Sequence, residues 1–197
     1  MFTLSKPTEA AIAKDVAAAA SKRSTAPRFL SLHNGFDRTV SLPFGFAHDL
    51  KRTTIGEGAE AFALAKLAFR RWAMFDLGWV RIANPEAAIA EGQAVAVEAH
   101  TLGLWSLNLS RIIGVVDTPA RFGFLYATTE MHVEQGEERF ILEFDATTGK
   151  VCYELEAISR PLSLLARLGF PFTRSCQHRF AIDSHNRMRD MLIAISS

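Results

Sequence analysis

The stretch GEERFILEFDATTGKVCYELEAIS, at residues 136–159, decides the fold class because apolar and polar residues alternate along both of its halves. Phe140, Leu142 and Phe144 share one side of the first half. A period of two residues is typical of β-strands whose two faces meet different surroundings. The turn at residues 146–149 is too short for a parallel crossover, so we predict that the two strands pair antiparallel.

The same period continues on the N-terminal side of this hairpin. We predict strands at residues 45–55, 95–99, 107–116, 121–129, 137–145 and 150–159. Gly56 and Gly58 end the first of these strands. The turns between the last four strands, at residues 117–119, 132–136 and 146–149, are short, which indicates a meander of antiparallel strands.

Helical periodicity is found outside the strands. An alanine-rich helix is predicted at residues 7–22 and an amphipathic helix at residues 57–75. One or two helical turns at residues 162–168 are followed by Pro171, which should separate them from a longer helix at residues 172–195. The predicted buried stripe of that last helix consists of Cys176, Phe180, Met188, Met191 and Ile195.

These elements predict one α+β domain. A half-apolar sheet must bury its apolar face against another layer, and the long terminal helix can supply that layer. We therefore predict a helix-grip (START-like) fold, in which a curved antiparallel sheet surrounds the C-terminal helix. The domain is assigned to residues 45–197, and residues 1–44 are interpreted as a helical and irregular N-terminal extension.

Several strings of sequence resemble one known family. They are RRWAMFDLGWVRI at 70–82, LWSLNLSRIIGVVD at 104–117, FGFLYATTEMHVEQGEERF at 122–140, SRP at 159–161 and LARLGFP at 165–171. Over about residues 45–180 the chain resembles a family described as a domain of unknown function, DUF1990. The resemblance implies a distant relation to START-like proteins, which mostly enclose apolar ligands and occasionally act as cyclases or hydrolases. Fold alone does not define a function, so the site must be argued from its residues.

Composition and charge narrow the classes of function. Of the 197 residues, 49% are hydrophobic and 22% are charged, as in ordinary globular domains. The net charge is +1 without clusters of like charge, so no nucleic-acid partner is expected. Cys152 and Cys176 match no disulfide framework, and no apolar run approaches the roughly 20 residues that span a bilayer. We expect a cytoplasmic protein without a membrane span, and its oligomeric state stays open.

Motifs for cofactors and metals are missing from the sequence. It contains no phosphate-binding glycine loop, dinucleotide fingerprint or nucleophile elbow, so no cofactor is expected. His132, Glu134, Glu137 and Glu138 lie close together, but they surround a predicted hairpin turn and lack a second histidine at helical spacing. We interpret this group as a solvated turn and expect no metal site.

Polar residues that share a strand face with apolar residues are the candidate site. On this basis the concave face is predicted to carry His48, Arg52, Arg111, Tyr126, Thr128, Glu138 and Tyr153. Glu137, Arg139 and Glu143 are predicted to point outward. A buried charge must be paired, or solvated in a cavity. We therefore expect Glu138 to pair with Arg111 or Arg52, either in a structural network or at the wall of a pocket.

Three functions are compatible with these residues. The first is the binding of a small apolar ligand between the sheet and the terminal helix, suggested by an inner face rich in the chain's 15 phenylalanines. The second is an enzyme of unspecified reaction, with Glu138 or His48 as general base and Arg111 stabilising a developing anion. The third is an interaction or scaffold protein with a filled core.

Overall fold

The computed structural model describes residues 2–22, 28–130, 132, 134–161 and 170–196. The strands are β1 (Phe2–Thr3), β2 (Leu30–Ser31), β3 (Gly35–Phe36), β4 (Ala47–Glu57), β5 (Val80–Ile82), β6 (Ala94–Thr101), β7 (Leu104–Thr118), β8 (Arg121–Thr128), β9 (Glu134–Phe144) and β10 (Lys150–Pro161). The helices are α1 (Glu9–Ala20), α2 (Gly58–Arg70), a short 3-10 helix (Ala73–Phe75) and α3 (Phe170–Ser196). The helix predicted at residues 162–168 lies outside the described residues.

Seven strands form one curled antiparallel sheet in the order β4-β10-β9-β8-β7-β6-β5. From β6 to β10 each strand pairs with the strand before it in sequence, and β4 closes the order by pairing with β10. Helix α3 lies against the sheet and contacts β4 and β10. The predicted meander and the predicted curved sheet around a C-terminal helix are both confirmed. None of the helices in the described ranges has the length and apolarity needed to cross a membrane.

Apolar side chains from alternate strand positions fill the concave side of the sheet beneath α2 and α3. The rings of Phe124 and Phe140 stack with centroids 4.9 Å apart, and Phe69 of α2 meets Tyr153 edge to face at 5.3 Å. Such aromatic pairs stabilise a fold by about 0.5–1.5 kcal/mol beyond the burial of their area. Other large side chains buried here are Phe75, Phe122, Met74, Ile112 and Leu142.

Helix α2 is shorter than the predicted helix at residues 57–75. Trp72 has a φ of 58°, in the left-handed region that does not continue a right-handed helix. The α-helix therefore ends at Arg70, and the 3-10 helix that follows carries Phe75 into the core. The indole Nε1 of Trp72 donates a hydrogen bond of 2.8 Å to the carbonyl of Ala87, which satisfies its one polar atom inside the core.

Helix α3 starts earlier than predicted. Its first residue is Phe170, so Pro171 lies in the first turn, where a missing backbone N–H costs nothing. Met188 and Leu192 are buried, and Phe180 and Met191 pack against the core at partial burial. The side chain of Ile195, the last member of the predicted stripe, lies outside the described residues.

The convex side of the sheet is also covered, by the N-terminal part of the chain. Ile12 of α1 packs against Ala94 of β6 and Leu109 of β7. Leu30 packs against Leu125 and Ile158 on neighbouring parts of the same face, with Phe29, Leu32, Phe36 and Phe46 around it. The convex face therefore carries apolar residues as well, and apolarity alone does not mark the concave side of a strand.

The predicted position of Arg111 on the concave face is wrong because β7 contains a β-bulge. The register with β8 shifts between Ile112 and Gly114, so one extra residue reverses the alternation at this point. Leu109 faces α1, whereas Val115 packs in the concave core. Arg111 lies on the convex face, where its Nη1 donates to the carbonyl of Ala20 at 3.1 Å, at the C-terminus of α1.

The predicted position of His48 and Arg52 on the concave face is also wrong. The sequence pattern correctly placed His48 and Arg52 on the same side of β4 as Phe46. That side is the convex one, because Phe46 packs there against Phe29 with ring centroids 5.2 Å apart. His48 Nε2 lies 2.9 Å from Glu156 Oε1, and Arg52 forms salt bridges with two further convex carboxylates, Glu143 and Glu154. The cause is the N-terminal segment, which gives the outer side of β4 apolar neighbours.

A buried ionic network on the convex face of the sheet forms hydrogen bonds with residues 29–36. Arg139 forms salt bridges with Glu154 and Glu156, and its Nη1 donates to the carbonyl of Leu32 at 3.3 Å. Glu137 accepts hydrogen bonds from the backbone N–H groups of Phe29 and Leu30. Both Glu137 and Arg139 point outward as predicted, yet they are buried beneath this segment.

We expect Arg139→Met to destabilise the protein by about 3–5 kcal/mol, because the largely buried carboxylates of Glu154 and Glu156 would lose the guanidinium that bridges them. The side chains of Arg139 and Glu156 are only 5% and 4% exposed, so solvent cannot replace the lost partner. The measurement is the free energy of urea unfolding. Arg189→Met is the control: this arginine is 52% exposed and should contribute less than about 1 kcal/mol. Equal effects of the two substitutions would contradict a buried network.

Candidate functional site

A cavity of about 540 Å³ lies between the concave face of the sheet and the first turns of α3. Most of its wall is apolar, formed by Phe75, Trp79, Val80, Val97, Leu155 and Phe180. Its polar wall includes Asp49, Asn108, Tyr126, His132, Glu134, Glu138 and Gln177. A cavity of this size, apolar with a few convergent polar groups, has the usual character of a small-molecule site.

The strand register aligns four cavity residues in one row across four strands. Tyr126 on β8 lies opposite Glu138 on β9, which lies opposite Ala157 on β10, which lies opposite Asp49 on β4. Neighbouring strands are about 4.8 Å apart, so the two carboxyl-bearing strands are separated by roughly 10 Å. The methyl group of Ala157 occupies little of that interval. The row therefore leaves room above Ala157, between the side chains of Glu138 and Asp49.

Glu138 is the central polar residue of the cavity. The Tyr126 hydroxyl donates a 2.8 Å hydrogen bond to Glu138 Oε2. Burial raises the pKa of Glu138 to about 7; the Tyr126 hydrogen bond opposes this shift, and repulsion from Glu134 and Asp49 adds to it. The predicted pairing of Glu138 with Arg111 or Arg52 is wrong, since those arginines lie on the convex face. Glu138 can accordingly hold or release a proton near neutral pH.

A second group of polar residues connects α3 to the strands. Gln177 Nε2 donates to Glu134 Oε2 at 2.9 Å and to Ser159 Oγ at 3.1 Å. Burial raises the pKa of Glu134, while the Gln177 hydrogen bond and the charge of Arg174 act against that shift. For Asp49 burial also opposes ionisation, but hydrogen bonds and charge from Arg174 outweigh it and lower its pKa. Asp49 is thus ion-paired, whereas the hydrogen-bond donor to Glu134 is a neutral amide.

His132 also lines the cavity, and burial lowers its pKa to about 4. Its Nδ1 accepts a 3.0 Å hydrogen bond from the backbone N–H of Glu134. The imidazole is therefore neutral at pH 7 and adds no positive charge to the cavity. The interpretation of His132 and Glu134 as a solvated turn is wrong, because both residues, next to the start of β9, line the cavity and Glu134 is bonded to Gln177 of α3.

The structure divides the seven predicted site residues into four groups. Tyr126 and Glu138 line the cavity. Tyr153 is fully buried beside it, where its hydroxyl lies 2.9 Å from Ser184 Oγ and its ring stacks on His185 at 4.2 Å. Thr128 accepts a hydrogen bond from the backbone N–H of Gly136, which is a local structural contact. His48, Arg52 and Arg111 lie on the convex face.

Sequence reasoning missed Asp49, Glu134 and Gln177. Asp49 follows His48 on β4, so the two side chains point to opposite faces of the sheet. A correct assignment of the concave face of β4 would therefore have identified Asp49. Gln177 shares a helical face with Thr173 and Ala181, which also line the cavity and are spaced four residues apart. The period of α3 therefore contained a signal for Gln177, whereas the cavity position of Glu134 depends on how β9 begins.

The curled antiparallel sheet, the C-terminal helix and the cavity between them define a helix-grip (START-like) fold. Two examples among the solved structures with a similar fold are a bacterial protein and an aromatase/cyclase. The protein TTHA0849 from Thermus thermophilus has a TM-score of 0.56 at 13% identity, covering 77% of this chain and 100% of that one. The Zhui aromatase/cyclase from Streptomyces sp. R1128 has a TM-score of 0.53 at 14% identity, covering 77% and 96%. At such identity the likeness shows the fold alone.

The chain belongs to the family described as Domain of unknown function (DUF1990), whose model matches residues 33–187. A UPF0548 protein of Dictyostelium discoideum is 36% identical over 154 residues, covering 73% of this chain and 71% of that protein. A UPF0548 protein of Deinococcus radiodurans is 33% identical over 192 residues, covering 92% and 93%. The resemblance seen in the sequence is confirmed, and the match begins upstream of residue 45, within the segment that covers the convex face.

We expect Glu138→Gln to become more stabilising as the pH rises. Folding raises the pKa of this carboxyl from 4.5 to about 7, so the folded state binds the proton more tightly and loses stability as pH increases between these values. Glutamine does not titrate, so its advantage over wild type should grow by about 2–3 kcal/mol between about pH 5 and pH 8. Urea unfolding at both pH values measures this difference. Glu143→Gln, on the convex face of the same strand, is the control; a pH-independent advantage of Glu138→Gln would contradict the raised pKa.

Proposed function

We propose that this protein binds a small, largely apolar molecule in the cavity between the sheet and α3. The observation that carries the proposal is the cavity itself, with about 540 Å³ of space and one polar region on an otherwise apolar wall. Burial of an apolar ligand there contributes roughly 25 cal/mol per Å² of apolar surface removed from water. Such an open interior argues against the alternative of a scaffold with a filled core.

The polar groups would orient the ligand. Tyr126 and Glu138 hold each other in a fixed geometry through their hydrogen bond, and Gln177 holds Glu134 from the opposite wall. Pre-oriented polar groups lower the entropic cost of binding, since fewer side chains must be ordered when the ligand enters. We further propose that the protein acts in the cytoplasm, because Cys152 and Cys176 are both free thiols, as is usual in a reducing compartment.

The test is titration with Nile red, a neutral apolar dye whose fluorescence increases in apolar surroundings. We expect saturable binding by the wild-type protein. Ala157→Phe and Ala99→Phe fill the cavity from two different strands, and each should weaken dye binding at least about tenfold because the added ring occupies the ligand's space. Native mass spectrometry of the protein purified from its own cells would then identify a bound molecule.

Ala120→Phe is the matched control, because Ala120 is exposed in the turn between β7 and β8. It adds the same ring outside the cavity and should leave dye binding unchanged. Thermal unfolding of all three variants establishes that each is folded. Dye affinity that survives both cavity substitutions would mean that the dye binds elsewhere, and the proposed function would then be wrong.

An enzyme is the second candidate, supported by the pKa of about 7 at Glu138. A carboxyl group with a pKa near the working pH is suited to general acid–base catalysis. His48 is excluded from this role because it lies on the convex face, bonded to Glu156. If a co-purified compound is converted by the wild type, Glu138→Gln should still bind it but convert it at least about 100-fold more slowly. If the wild type binds the compound but does not convert it, the enzyme candidate is wrong and the binding function is retained.

A further inference from the structure

The polar part of the cavity offers hydrogen-bond acceptors that have no donors among the described residues. Glu134 is 7% exposed and lines the cavity, yet within the described ranges its Oε1 has no hydrogen-bond partner. Asn108 lines the cavity too, and its buried Oδ1 likewise lacks a partner in the part of the chain that the structure describes. A buried acceptor left unpaired costs about 1–3 kcal/mol. These two oxygens therefore indicate a ligand that brings hydrogen-bond donors.

The charge of the same region indicates which donors fit. The carboxyls of Glu134 and Glu138 both face the cavity, and each accepts a hydrogen bond from a neutral group, Gln177 and Tyr126 respectively. Burial raises the pKa of both carboxyls. No cation among the described residues bonds directly to either carboxyl to offset this effect. A cationic donor in the cavity would supply both the hydrogen bonds and the positive charge that these groups lack.

The other charged groups around the polar region are already engaged or lie further away. Asp49 of β4 is neutralised by Arg174 of α3, and His178 of α3 lies 3.3 Å from the same carboxylate. Lys51 also lines the cavity, two residues further along β4 in the row of Leu155, and its charge acts on His185. His132 is neutral at pH 7. Within the described ranges, neither Glu134 nor Glu138 forms a salt bridge, although the charge of Arg174 acts on Glu134 from a distance.

We propose that the cavity recognises amphiphilic amines, with the ammonium group held between Glu138 and Glu134 and the apolar part of the molecule against the aromatic wall. This inference rests on the proposed function, since it names the class of ligand for the same cavity. The ammonium group has three N–H donors, which match the two carboxyls and the Asn108 oxygen. Trp79 and Phe180 line the remaining wall and offer aromatic surface to the ligand body.

The experiment compares three ligands with similar phenylalkyl bodies: 4-phenylbutylamine, 4-phenyl-1-butanol and 4-phenylbutyrate. Each is titrated by calorimetry and by displacement of Nile red. At about pH 8 we expect the amine to bind at least about tenfold more tightly than the alcohol, and the butyrate most weakly, because only the amine gains charge-assisted hydrogen bonds. At about pH 6 the amine should lose about tenfold in affinity as Glu138 takes up its proton, while the alcohol should not change.

Glu138→Gln tests the carboxylate directly, since it keeps the side-chain shape and an acceptor for Tyr126. In this variant Glu134 is the remaining carboxyl, so at about pH 8 we expect the amine to bind at least about tenfold more weakly than it binds the wild type, and we expect the change in affinity that Glu138 causes between about pH 6 and pH 8 to be lost. Glu143→Gln removes a carboxylate from the convex face of the same strand and should retain the preference for the amine. These variants separate an effect at the cavity from a change in the overall charge of the protein.

Each remaining outcome overturns a defined part of the proposal. Tight Nile red binding with equal affinities for amine and alcohol would refute the amine preference and leave the cavity-binding function intact. A preference for the butyrate would refute it as well. If the dye and all three ligands fail to bind, the proposed function itself is refuted, and the inference about amines with it.

Discussion

The two-residue period of β9 is the constraint on which the rest of the molecule depends. This strand lies near the middle of the sheet, between β8 and β10, and both of its faces are buried. Phe140 and Leu142 pack in the concave core, whereas Glu137 and Arg139 face the N-terminal segment on the other side. A slip of one residue would exchange these sets, so that a guanidinium would enter the aromatic core. The register of the neighbouring strands follows from this one.

The charged residues on the two faces of β9 have opposite surroundings. On the convex face Arg139 lies between Glu154 and Glu156, so each of these charges has a counter-ion. On the concave face the described partner of Glu138 is the neutral hydroxyl of Tyr126, and the pKa of the carboxyl rises to about 7. A carboxyl kept in such surroundings destabilises the folded state at neutral pH. Folded proteins tolerate costs of this kind at functional sites, where a bound ligand can offset them.

The convex network also explains why the N-terminal segment belongs with the sheet. Residues 29–36 contribute backbone N–H groups and a carbonyl to Glu137 and Arg139, and their apolar side chains cover Leu125 and Ile158. Without this cover, the buried charges of the convex face would lie in solvent and their attraction would be weaker. Residues 29–36, which the sequence pattern predicts as part of an N-terminal extension, thus form a layer on the convex side of the sheet.

The sequence by itself determined the class of fold and the inner face of the central strands. Alternation in β8 and β9 placed Tyr126 and Glu138 correctly, because these strands pair without a bulge and their apolar sets are unambiguous. Alternation failed in β7, where the bulge after Ile112 moved Arg111 to the convex side. It failed in β4 because a strand covered on both faces offers two apolar sides, and the pattern does not tell them apart.

Only the tertiary structure decided which polar residues meet. Asp49, Glu138 and Gln177 come from three elements that are distant in sequence, and the cavity forms where the curl of the sheet brings them together. The pairing of Asp49 with Arg174, and the bonding of Glu138 to a neutral hydroxyl, likewise depend on distances across the fold. Alternation is a local property of the backbone, so sequence reveals it, whereas the curl and the docking of α3 arise from packing among all the layers.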